Sequence, residues 1–144
     1  MTASMLPVRN PRTGEYDYEM PVTSADDIQS IAARLRAAQM QWSALGVEGR
    51  AEVLNRFADS VTTELGPLAQ ALSVDTGRTT FAHFEAMKSV ELIRMWAERA
   101  GPILQDLAGS GQSGQVPAVH YQHRLIPYQM VAVISPGTFL YCSP

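Results

Sequence analysis

Cysteine is all but missing from this sequence: one, Cys142, stands among 144 residues. An intrachain disulfide is therefore excluded, and the chain suits a reducing compartment. No stretch approaches the roughly 18 consecutive apolar residues that a transmembrane helix needs. The first residues, MTASMLPVRNPRTGEY, lack the basic start and apolar stretch of a secretory signal. Runs rich in Lys and Arg are absent as well, and the net charge is only -3, so neither a nucleic-acid backbone nor a membrane is an expected partner. A cytoplasmic location is expected. What is present is the composition of an ordinary globular domain, 46% hydrophobic and 17% charged. A self-contained domain of this length buries about 68–70% of the surface its unfolded chain exposes.

The chain opens with Asn10-Pro11-Arg12-Thr13-Gly14, a turn that predicts short strands on either side. From Ser24 the pattern becomes helical, Ser24 and Asp27 having the spacing of a capping box. Ile28, Ile31, Ala32, Leu35, Ala38 and Trp42 recur at intervals of three and four and predict one helical stripe as far as Ala44, with a break at Gly46. A second helix is carried by Val53, Leu54, Phe57, Ala58, Val61 and Leu65, and Gly66-Pro67 is expected to end it. Leu68, Leu72 and Val74 predict a short third helix, closed by Gly77 as a left-handed cap. A fourth, longer helix runs from Phe81 through Trp96, with Gly101-Pro102 expected to bend or end it. Trp42 and Trp96 fall on apolar stripes and are expected to pack. Arginines such as Arg34, Arg50 and Arg94 are interleaved with acids and are expected on solvated faces.

After Leu107 the composition changes to Gly109-Ser110-Gly111-Gln112-Ser113-Gly114, which reads as a flexible loop. Val119, Tyr121 and then Met130-Val131-Ala132-Val133-Ile134 are strand material, with Pro127 between the two strands. The second run has no polar alternation, the mark of a strand covered on both faces, as in a parallel sheet.

In order along the chain stand Asn10-Pro11-x-Thr13-Gly14-Glu15, a Ser-Ala-x-Asp helix ending near Trp42, Arg50-Ala51-x-x-Leu54, Asp75-Thr76-Gly77, and Pro127 ahead of Val131-Ala132-Val133-Ile134-Ser135-Pro136. Together they resemble the N-terminal part of the NAD(P)-dependent aldehyde dehydrogenase superfamily. The resemblance implies an α/β, Rossmann-type fold of which this chain carries the helical part and first strands. Its divisions would be a helical part of the cofactor-binding domain over 1–115, an oligomerisation arm over 116–128, the first strand of the cofactor-binding sheet over 129–136 and an aberrant tail over 137–144.

The same resemblance implies the chemistry. A cysteine thiolate attacks an aldehyde, hydride passes to NAD or NADP, and a glutamate activates the water that hydrolyses the thioester to a carboxylic acid. The nucleophile and the base have no counterpart among these residues, so the chain alone is expected to be inactive. Ile134, Ser135 and Pro136 match the family's cofactor-cleft edge, at the carboxyl end of a sheet strand. A small-molecule aldehyde and a homo-oligomeric parent enzyme are likewise implied. After Pro136 the family continues Trp-Asn-Phe-Pro, whose asparagine side chain helps hold the oxyanion. Thr138 stands at that asparagine's place. One plausible coding of Trp-Asn-Phe-Pro-Leu-Leu-Leu-Ser, read one base late, gives Gly-Thr-Phe-Leu-Tyr-Cys-Ser-Pro, which is Gly137 to Pro144, so a frameshifted tail is expected. Cys142 then is a bystander, with no positive or helix-terminal setting to activate it. His120 and His123, three apart on a strand, point to opposite faces and suit a surface strand better than a metal pair. The alternative to the fragment is a freestanding, non-catalytic helical interaction module.

Overall fold

The computed structural model describes residues 4–114 and 119–134. Strands β1 (Met5–Arg9) and β2 (Tyr16–Pro21) pair antiparallel around the expected turn. Asn10 holds that turn together: its side-chain carbonyl accepts from the Arg12 amide at 2.9 Å, and its backbone carbonyl from Gly14 at 2.8 Å. Four helices follow: α1 (Ala25–Ala44), α2 (Gly46–Thr63), α3 (Leu65–Thr76) and α4 (Thr79–Asp106). Ser24 caps α1 as a capping box, its hydroxyl accepting the Asp27 amide while the Asp27 carboxylate reaches the Ser24 amide. Gly46 makes the corner between α1 and α2 with φ of 69°.

One helix boundary and one loop differ from those the sequence predicts, and of the two readings offered at Pro102 the helix does not end there. Gly66-Pro67 lies in the first turn of α3 instead of ending α2. Proline is tolerated there because a first-turn amide has no intrahelical partner to lose. Pro102 lies inside α4, which continues past it to Asp106. The predicted loop after Leu107 is a strand, β3 (Gly109–Gln112), paired antiparallel with β4 (His120–His123). Its glycines are what the pairing requires. A Cβ on Gly109 would lie 2.8 Å from the His123 ring, and one on Gly111 2.4 Å from the Tyr121 hydroxyl. The two large β4 side chains thus fill the space that β3 leaves open. Both sheets have two strands. Met130–Ile134 forms no ladder, contrary to the strand expected there. A strand exists only beside another, and no described strand lies next to this run.

The core sits where α2 and α3 pack on α4. It consists of Ala58, Ala69, Ala82, Ala86 and Ala97 around one large side chain, Leu72. Small residues let the helix backbones approach closely but bury little area. Helix α1 buries no residue at all, although its stripe is apolar. Phe57, Phe81, Phe84 and Trp96 are also exposed, and Trp42 is 39% exposed, so the tryptophans are not the packing residues that their stripes suggest. A stripe buries only when something lies against it.

The first hairpin docks on the corner between α3 and α4. Gly77 there has φ of 71° and caps α3, its amide donating to Ser73 O. A Cβ at Gly77 would come within 3.2 Å of Pro11 and 3.3 Å of Arg12. Gly77→Ala is therefore expected to cost about 1–2 kcal/mol for the left-handed backbone alone, and to loosen the hairpin as well. Urea unfolding followed by circular dichroism reads the first effect, and amide exchange across residues 5–21 the second.

On the same corner the Tyr18 hydroxyl donates to Asp75 Oδ1 at 2.9 Å. That bond, with desolvation and the nearby carboxylates of Asp75 and Asp17, raises the phenol above its ordinary value of 10.0. A raised folded value means that the contact contributes below the unfolded value and is lost as pH climbs through the folded one. Asp75→Asn is expected to bring Tyr18 down towards its ordinary value. Phenolate absorbance over a pH titration, taken as the difference from Tyr18→Phe, checks it.

Candidate functional site

The segment that should lead to the site runs from Arg124 to Ile134 without regular structure. It returns to α1 and α2. Pro127, Tyr128 and Met130 line a groove of about 490 Å³ with Leu35, Trp42 and Arg50. The helical spacing of Leu35 and Trp42 puts both on the α1 face that meets this segment, which is why the segment comes to rest there. Of the expected cofactor-edge residues, Ile134 is 97% exposed. Ser135 and Pro136 lie outside the described residues, as do Thr138 and Cys142. An isoleucine standing almost free offers a nucleotide no wall, so the described residues do not by themselves build a dinucleotide pocket.

A second groove, of about 430 Å³, opens between α2, α3 and α4 and is lined by Phe57, Val61, Leu68 and Ile93 with Glu64 at its edge. Its hydroxyls are committed to their own helices. Ser60 Oγ donates to Arg56 O at 3.1 Å and Ser89 Oγ to Glu85 O at 3.0 Å. The groove offers apolar contact and little else.

Among the described residues the one charged side chain in the core is Glu85, 2% exposed, which accepts from Arg78 Nη2 at 2.9 Å. The two stand seven residues apart, on one face of the α3–α4 corner. Sequence reading passed over this pair, yet a signal exists. Positions 82, 85, 86 and 89 form a buried stripe of Ala, Glu, Ala and Ser, and a glutamate on such a stripe calls for a cation within reach. Arg94, by contrast, pairs with Asp59 at 2.7 Å on an exposed face, as expected of the helix arginines. His120 and His123 both lie on exposed β4. Among the described residues no three His, Cys, Asp or Glu side chains gather as a metal site would require.

Comparison with known proteins supplies what this geometry lacks. The family model described as "Aldehyde dehydrogenase family" matches residues 1–139. N-succinylglutamate 5-semialdehyde dehydrogenase from Burkholderia cenocepacia (strain HI2424) is 32% identical over 137 aligned residues, covering 91% of this chain and 26% of that protein. 2-Aminomuconic semialdehyde dehydrogenase from Bos taurus is 32% identical over 136 residues, covering 93% and 27%. Among solved structures, the aldehyde dehydrogenase PutA from Anabaena variabilis aligns with a TM-score of 0.74 at 30% identity, over 87% of this chain and 26% of that one. A 3,6-anhydro-L-galactose dehydrogenase in complex with NAP shares the fold, with a TM-score of 0.69 at 23% identity, over 78% of this chain and 23% of that one. The chain spans about a quarter of the length of the relatives it matches.

Proposed function

The chain belongs to the aldehyde dehydrogenase family, and from that premise we propose that it is the N-terminal helical part of an NAD(P)-dependent enzyme that oxidises an aldehyde to a carboxylic acid. The observation that carries the reading is the family match over residues 1–139 together with coverage of about a quarter of each relative. On this reading the chain supplies scaffold. Its helices and first hairpin support a strand over 129–136 whose end, Ile134-Ser135-Pro136, borders the cofactor. The nicotinamide would accept the hydride, while the thiol nucleophile and the general base come from sequence that this chain does not match. The parent enzyme is a cytoplasmic homo-oligomer, with the segment over 116–128, which includes β4, as its association arm, since an exposed edge of unpaired backbone favours pairing between chains.

The 144-residue chain alone is then expected to be inactive. Purified chain mixed with NAD or NADP and a panel of aliphatic, aromatic and semialdehyde substrates should give no sustained rise in absorbance of the reduced nicotinamide. Sustained turnover would overturn the assignment of the catalytic groups to other sequence.

A further inference from the structure

Among the described residues two arginines are half-buried, Arg50 and Arg78, and the others are exposed. Arg78 has Glu85. Arg50, expected from the sequence on a solvated face, makes no side-chain hydrogen bond and no ion pair. A guanidinium stays charged at any ordinary pH, and drawing it partly out of water without a partner is costly. Arg50 lines the groove of about 490 Å³ between α1 and the segment over 127–131, and it is the one charged residue described in that lining. It also lines a smaller hollow, of about 120 Å³, with Trp42, Leu54 and Trp96. Among the described residues neither space supplies an anion.

The rest of the larger lining shows what else such an anion should carry. Trp42 and Tyr128 put aromatic surface on the groove, each still exposed in part, and Gln39, half-buried on α1, has a side-chain amide without a hydrogen bond. A mostly apolar hollow of roughly 300–1,000 Å³ with a few unsatisfied polar groups is how small-molecule sites are built. The guanidinium fork matches a planar carboxylate with two parallel bonds, whereas the rings of Trp and Tyr favour a flat aromatic body. We propose that this groove binds a small aromatic carboxylate, its charge on Arg50, its ring against Trp42 and Tyr128, and the Gln39 amide donating to a carboxylate oxygen. A dinucleotide does not suit it, since a single cation leaves much of a pyrophosphate's charge unmatched. Such a site needs no thiol nucleophile and no general base, so it stands whether or not the chain is catalytic.

Isothermal titration of the 144-residue chain with 2-naphthoate at low salt is the test. Saturable one-to-one binding is expected, with a dissociation constant below roughly 1 mM. 2-Naphthamide keeps the ring and loses the charge, acetate keeps the charge and loses the ring, and each is expected to bind at least about tenfold more weakly. Arg50→Met should weaken naphthoate about tenfold or more and leave naphthamide as it was, while Arg50→Lys, which keeps the charge without the fork, should fall between. Trp42→Ala should weaken both ring compounds. Arg34→Met removes an exposed arginine outside this groove and should change nothing. Circular dichroism checks the fold of each variant, and the comparison of naphthoate with naphthamide, made on the unaltered chain, decides the matter even where Arg50→Met does not fold. Equal affinity for those two compounds, no binding of naphthoate up to about 10 mM, or full affinity in folded Arg50→Met overturns the site. Displacement of naphthoate by an equal concentration of inorganic phosphate overturns the assignment of an aromatic carboxylate.

Discussion

Leu72→Ala is expected to lower the stability of the chain by about 2–5 kcal/mol, the range for truncating a buried leucine to leave a cavity. Leu72 is 2% exposed and is the one large side chain enclosed by α3 and α4. Around it the core is alanine, and alanines have no length with which to collapse into the space left behind. The loss is a large fraction of the 5–15 kcal/mol that holds a typical domain together. Urea unfolding monitored by circular dichroism measures it. Leu72→Met, which conserves volume, should cost less than about 1.5 kcal/mol. Phe57→Ala removes a larger side chain but an exposed one, so its effect should be the smaller of the two truncations. If Leu72→Ala and Phe57→Ala shifted the midpoint equally, the core would have to lie elsewhere than between α3 and α4.

The same contrast explains what could be read from the sequence. Signals confined to a few neighbouring residues were legible: the Asn10–Gly14 turn, the Ser24–Asp27 cap, the glycine cap at residue 77 and the existence of four helices. Each is decided by hydrogen bonds within one turn of chain. Misread were the features that depend on something distant. Gly109 to Gly114 has the composition of a loop, but β3 exists because Tyr121 and His123 lie over its glycines. Trp42 and Trp96 have helical stripe positions, but a stripe reports only which side is apolar and not whether another element covers it. The run from Met130 to Ile134 has strand composition and no ladder for the same reason. Of the site, the sequence pointed to Ile134, Ser135 and Pro136 through family motifs. Of these Ile134 is described, and it stands free, because a cofactor cleft is made by several strand ends and not by one.

Arg78→Met should be the second most damaging single change, at about 3 kcal/mol, because it takes the guanidinium from a carboxylate buried in the core. The two partners are unequal. Glu85 is 2% exposed and its carboxylate cannot turn to water, whereas Arg78 is 31% exposed and can. Glu85→Leu is therefore expected to cost less than Arg78→Met, since the abandoned charge in that variant is the one with solvent access. The double variant, apolar at both positions, should recover much of the loss, as replacing a buried pair by packed hydrophobic groups is often close to neutral. A double-mutant cycle in urea isolates the coupling between them. Equal losses in the two single variants, adding in the double, would mean that the pair is not coupled and that Glu85 is held by its other surroundings. A large coupling would instead fix the α3–α4 corner as an electrostatic joint. That corner also carries Gly77 and Asp75, the points where the first hairpin docks, so one ion pair would then set the orientation of both the helices and the hairpin.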